Sequence, residues 1–196
     1  MKLDKNNPNV QYAARLIRAN SQYMSHTTMD DFFINVERCI RRESNRDISD
    51  NDMFEINGAV CKLLEDAGIQ WIKLVKKLPM MAFVYSNSLS ITLPNNIKVI
   101  DNSVFTGSKI ESIIIPSGVT VREWGICSDC VSVISIMDKS LENWHSYALA
   151  SCYGITDIWF EGTTDTWRNK EFYDIEEFTV HCSDGKLEYV DGHLKR

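Results

Sequence analysis

The chain has 196 residues, 44% of them apolar and 24% charged, with a formal net charge of −6; this suits one ordinary globular domain or two small ones, and no run of ~18 apolar residues is present to span a bilayer as a helix. The charge is uneven. Residues 1–77 hold 12 Lys and Arg against 11 Asp and Glu, whereas residues 78–196 hold 9 against 16, a balance of −7 that repels phosphate backbones. The opening MKLDKNNPNV lacks the apolar core of a secretory signal. That predicts a cytoplasmic product in which Cys39, Cys61, Cys127, Cys130, Cys152 and Cys182 stay reduced.

The first seventy residues read as helices. Asn7 is placed to cap a helix with Pro8 at its first position, and Val10, Ala13, Ala14 and Ile17 recur as one apolar stripe. In HTTMDDFFINVERCIRR, Thr28 caps a second helix, Asp30 and Asp31 suit its positive first turn, and Arg41 and Arg42 suit its negative last turn. Phe32, Phe33, Val36, Cys39 and Ile40 form its buried face. SNRDISDND is too polar to pack and reads as a loop. A third helix is expected to start at Asp52 as its cap, to turn Phe54, Val60, Cys61 and Leu64 inward, and to close on Gly68 in a left-handed position. IQWIKLVKKLP predicts a short fourth helix, stopped by Pro79. The helical unit is thus expected over residues 1–80 and a second unit over 81–196.

The second unit repeats itself. KIESIIIPSGVT concentrates Ile113, Ile114 and Ile115 before Pro116, and the same spacing of apolar residues recurs along the chain. The triplets are Ser88-Ile91-Leu93, Ile110-Ile113-Ile115, Val131-Ile134-Ile136, Ile155-Ile158-Phe160 and Ile175-Phe178-Val180, with middle positions 22, 21, 24 and 20 residues apart. Return segments match too: Ile97, Ile100, Val104 and Phe105 align with Leu141, Trp144, Ala148 and Leu149, and between them lie Val119, Arg122, Ile126 and Cys127. Arg122 puts a charge in an apolar slot, which Trp124 is expected to fill instead. Periods of this length mark a solenoid of stacked units. Five buried side chains per unit, at about 1.5–3 kcal/mol each, do not offset about 1–2 kcal/mol of backbone entropy for each of some twenty residues. One rung therefore cannot stand alone, and the stack needs a cover at its open end.

The pattern L-x-x-I-x-I-P followed by a V-x-x-I-x-x-x-A-F return, best seen in SLSITLPNNIKVIDNSVFTGS, resembles the BspA-type leucine-rich repeat. FEGTTDTW followed by FTVHC resembles the way such arrays end. The resemblance covers roughly residues 86–185. It implies a short leucine-rich-repeat solenoid of four to five rungs with a small parallel sheet and says nothing of the helices; the helices read above, preceding that solenoid, make the expected fold α+β. The helices either cap that solenoid or carry a function of their own.

Chemistry-bearing residues are sparse. Cys127 and Cys130 have C-x-x-C spacing but no second pair, and both fall on repeat positions that stack as core ladders. His145, His181, Cys182 and Asp184 invite a hydrolase reading, the weak remainder of which rests on His181 and Asp184. On one strand His181 and Cys182 point to opposite faces. No enzyme, metal or cofactor is expected. The stronger candidate is the outward face of the strands, where Glu111, Asp157 and His181 lie beside Ile114, Val133 and Trp159. Exposed aliphatics next to a tryptophan form a typical protein-binding surface. This predicts an adaptor or inhibitor that binds a protein partner; the repeat type alone suggests a bacterial or phage origin. The alternative is a nucleic-acid site on the basic flank Arg38, Arg41 and Arg42, with Arg46 nearby.

Overall fold

The computed structural model describes residues 3–21, 28–43, 48–124, 126, 131–190 and 193–195. Helix α1 (Pro8–Asn20) starts as its sequence requires: Asn7 accepts from the backbone N–H groups of Asn9 and Val10, and Pro8 follows at the first position. Its buried stripe is Val10, Tyr12, Ala13 and Leu16, a slight rotation that leaves Ala14 and Ile17 half-buried. Helix α2 (Met29–Glu43) is capped by Thr28, whose hydroxyl accepts from the Asp31 N–H at 3.2 Å. It buries Phe32, Phe33, Val36 and Ile40, while Cys39 is half-buried.

Helix α3 (Asp50–Asp66) begins earlier than expected. Ser49 is the cap, and Asp52 returns the bond from the third helical position, completing a capping box. Gly68 (φ 79°) closes the helix in a Schellman turn, in which its N–H meets Glu65 O and the Ile69 N–H meets Leu64 O. Where a fourth helix was predicted, only Trp71–Lys73 form a 3-10 turn. The reason is tertiary. The backbone N–H groups of Lys76 and Lys77 donate to the Asp30 carboxylate at 3.0 and 3.1 Å, and Lys77–Leu78 pair as a strand, so neither segment is available to a helix.

The solenoid has two sheets. β1 (Lys77–Leu78), β3 (Val99–Ile100) and β5 (Thr120–Val121) make a small parallel one. β2 (Ser90–Thr92), β4 (Ser112–Ile115), β6 (Val133–Ile136), β7 (Asp157–Phe160) and β8 (Phe178–Cys182) run parallel in a larger one. β9 (Gly185–Val190) and β10 (His193–Leu194) extend the larger sheet antiparallel at its far end. Inward residues Ile113, Ile134, Ile158 and Val180 stack in register and are fully buried. The last rung differs from the expected alignment: Val180, not Phe178, faces Ile158, a spacing of 22 residues. A two-residue slip keeps every side chain on its own face, so Thr179 and His181 still point outward. In the second return segment Ile100 pairs with Val121, which fills the apolar slot assigned to Arg122. Arg122 is exposed and reaches Asp101 at 3.4 Å, and Trp124 is 42% exposed at φ 50° rather than buried.

The helices lie against the first rungs through an aromatic series. Phe33, Trp71, Phe83 and Phe105 follow one another at centroid spacings of 5.6, 5.8 and 5.2 Å. Asn96 donates to Ile72 O and Val75 O, and Tyr85 donates to Glu55 at 2.7 Å. Asp30 accepts from the Lys76 and Lys77 N–H groups at the start of β1, the terminal strand of the small sheet, and so ties α2 to it. At the other end α4 (Thr164–Arg168) seats Trp167 between Phe160, Phe172 and Phe178. β9, β10 and α4 went unpredicted.

Candidate interaction face

Alternation on the larger sheet decides what faces outward. In β4 and β6, Ile113, Ile115, Ile134 and Ile136 are buried, while Ile114 and Val133 are half-buried on the opposite side. In β7 the same alternation drives Ile158 and Phe160 inward and leaves Trp159 52% exposed. Two outward ladders result: Ser90, Ser112, Val133, Asp157, Thr179, and Thr92, Ile114, Ser135, Trp159, His181. Glu111 lies just ahead of β4 and is exposed, its carbonyl taken by the N–H groups of Ser132 and Val133.

Strand pairing sets His181 directly opposite Trp159, and the rings stack at a centroid distance of 4.0 Å and an angle of 9°. On the same imidazole, Nε2 lies 2.7 Å from Asp157 Oδ1. Asp157, Trp159 and His181 thus form a single unit, with Trp159 fixed from one side and still open to solvent. Fixing the ring beforehand lowers the entropy lost when a partner covers it. The hydrogen bond from His181, and then that from Thr156, holds the Asp157 carboxyl below the usual carboxylate range. A depressed carboxylate stabilises the fold above its unfolded pKa and loses that contribution as pH falls through the folded value. The stability gap between wild type and Asp157→Asn is therefore expected to be present near neutral pH and to shrink as pH falls below the usual carboxylate range, as read from urea midpoints.

Beside Trp159 runs a groove of about 750 Å³, with Ser135, Met137, Glu161, Thr163 and His181 along it. Met137 is 43% exposed at the end of β6. It was missed because it follows the last alternating position of its strand and continues the run of apolar residues; its signal was only that an outward slot held a large thioether.

Other sequence candidates do not converge. The Asp184 carboxylate accepts from the N–H and hydroxyl of Thr164 at 2.8 and 3.1 Å, so it anchors α4 rather than orienting His181. Cys182 is half-buried, and burial pushes its thiol up, away from a reactive thiolate. His145 Nδ1 accepts from the Tyr147 N–H. Arg38, Arg41 and Arg42 are exposed on α2, where Arg41 pairs with Glu37 at 2.7 Å. Cys127, Cys130 and Arg46 lie outside the described residues. Among the described residues, no three His, Cys, Asp or Glu side chains come together as a metal site, and no helix is long and apolar enough to cross a membrane.

No curated protein and no solved structure matches the chain. The model of the BspA type leucine rich repeat region matches residues 74–189 in six copies, a span that starts just after the 3-10 turn and runs into β9. With its rungs stacked in register over that span, the chain belongs to the BspA-type leucine-rich-repeat family.

Proposed function

We propose that this chain is a non-enzymatic protein-binding module, a cytoplasmic adaptor or inhibitor of bacterial or phage origin, that grips one protein partner with the outward face of its larger sheet. The family supports a protein-interaction role in general terms. The observation that carries the finer reading is Trp159: a large aromatic, half exposed in the middle of a regular sheet, stacked on His181 and bordered by a groove. Ile114 and Val133 extend the apolar area along the neighbouring strands. Glu111 and Asp157 add negative charge within a region of net −7 (9 basic against 16 acidic residues), which favours a partner with a basic patch.

The test is affinity capture with wild type, Trp159→Ala and an Arg38/Arg41/Arg42→Ala variant, each first shown to be folded by circular dichroism. Trp159→Ala is expected to weaken a captured protein by about 30-fold, the ~2 kcal/mol of an aromatic hot spot. The arginine variant is expected to retain it. Capture of a nuclease-sensitive partner that is lost only with the arginines would sink this reading.

A further inference from the structure

Where α2 and α3 meet the first strand of the small sheet, a second and smaller cavity opens, with a volume of about 190 Å³. Its walls are apolar: Phe33 and Ile34 from α2 face Pro79 and Met80 from the segment after β1. Asn57 of α3 also lines it. That residue is only 6% exposed, and its carboxamide has no hydrogen-bond partner among the described residues. Most charges at the mouth are engaged; the Lys76 side chain, which also lines it, has no ion-pair partner among the described residues. Asp30 accepts from two backbone amides, Glu37 holds Arg41, and Lys77 holds Asp101.

The polar atoms of Asn57 open on the cavity, so whatever fills the cavity, water included, supplies the hydrogen bonds that the protein leaves unmade. One water does not fill this space, since a water occupies about 30 Å³ and needs two to four polar partners, whereas an apolar cavity of about 150 Å³ takes a benzene ring. A carboxamide offers both a donor and an acceptor. Its complement is therefore a group with adjacent N–H and C=O, such as a lactam or a primary amide.

We propose that this cavity binds a small planar ring bearing an amide edge, with the ring between Phe33, Ile34 and Met80 and the amide paired to Asn57. An anionic ring is disfavoured because a carboxylate only accepts and leaves the Asn57 oxygen unpaired; the mouth itself carries both signs, Lys76 and Lys77 beside Asp30, Glu37 and Asp101. The site is separate from the sheet face. Because its walls come from both the helices and β1, an occupant braces the junction between them, and ligand binding raises stability by mass action.

Benzamide is the probe, with toluene and benzoate as controls, on the full chain. Millimolar benzamide is expected to raise Tm in a saturable way and to shift the Asn57 side-chain amide resonances; toluene and benzoate bind about tenfold more weakly or not at all. Asn57→Leu is expected to leave the unliganded protein folded and to abolish the benzamide effect, which a merely structural asparagine would not give. Ile34→Trp, at a position 44% exposed at the mouth, fills the entrance without removing a buried group and is also expected to abolish binding. The proposal is overturned if benzamide produces no shift, if toluene matches it, or if the shift survives either substitution.

Discussion

Replacing Gly58 with alanine is expected to destabilise the protein by about 2 kcal/mol, although glycine-to-alanine changes inside helices ordinarily stabilise by about 1 kcal/mol. Gly58 lies in α3 where the helix backbone meets the turn before the first full rung. A Cβ there would stand 1.9 Å from Val84 Cγ1 and 2.9 Å from the Met81 carbonyl oxygen. The valine methyl can rotate away. The carbonyl cannot, because it accepts from the Val84 N–H at 3.2 Å and Met81 already sits at φ 56°. The helix must back off from the turn that carries Met81 and Val84. An overpacking cost of about 3 kcal/mol less the gain in helix propensity gives the net figure, a fall in Tm of about 4–8 °C for a chain of this size. Adding Val84→Ala should restore only part of the loss, since the carbonyl remains; full restoration would place the clash in the side chain alone. A stabilised Gly58→Ala protein would mean that α3 does not rest on the first rung.

Gly58 also illustrates what a sequence withholds. The solenoid was legible because its signal is periodic. Ile113, Ile134 and Ile158 recur at nearly constant intervals, and each matched position constrains the rest. The outward ladder followed from alternation alone, so Trp159 and His181 could be paired with the outer face before their stacking was known. Their mutual geometry was not legible. It depends on a 22-residue final spacing, where apolar matching gave 20 because Ile175, Phe178 and Val180 fit the three-then-two spacing; Phe178 is instead used against Trp167 and Tyr189. Arg122 misled for a related reason, since one residue fewer in that return segment makes Val121 the buried one. Asp30 was read as a helix-dipole residue, whereas its carboxylate meets amides 46 and 47 residues away. Long-range polar contacts leave no period in the sequence. The short helix expected before Pro79 failed on this contact: its local pattern was sound, but the Asp30 carboxylate and the pairing of Lys77–Leu78 with Val99–Ile100 outcompeted it.

The largest loss is expected from Phe83→Ala, at about 3–5 kcal/mol. Phe83 is 4% exposed and stands between aromatic neighbours from the 3-10 turn and from the rungs. On one side is Trp71, at 5.8 Å; on the other is Phe105, stacked at 5.2 Å and 4°. Its backbone N–H is bonded to Val104 O, so the residue cannot shift far to close the void. Repeat arrays are held mainly by nearest-neighbour interfaces, and Phe83 is central to the one that joins the helices to the rungs. Removing it is thus expected to split unfolding as well as weaken it. Helical circular dichroism should be lost at a lower urea concentration than the fluorescence of tryptophans in the later rungs, where the wild type gives coincident curves. Phe83→Leu, which keeps most of the apolar volume, should lower both midpoints by less and leave them together. If Phe83→Ala instead shifts both probes equally, then Asp30 at the edge of β1 and the close seat of Gly58 suffice to keep the helices and the solenoid one cooperative unit.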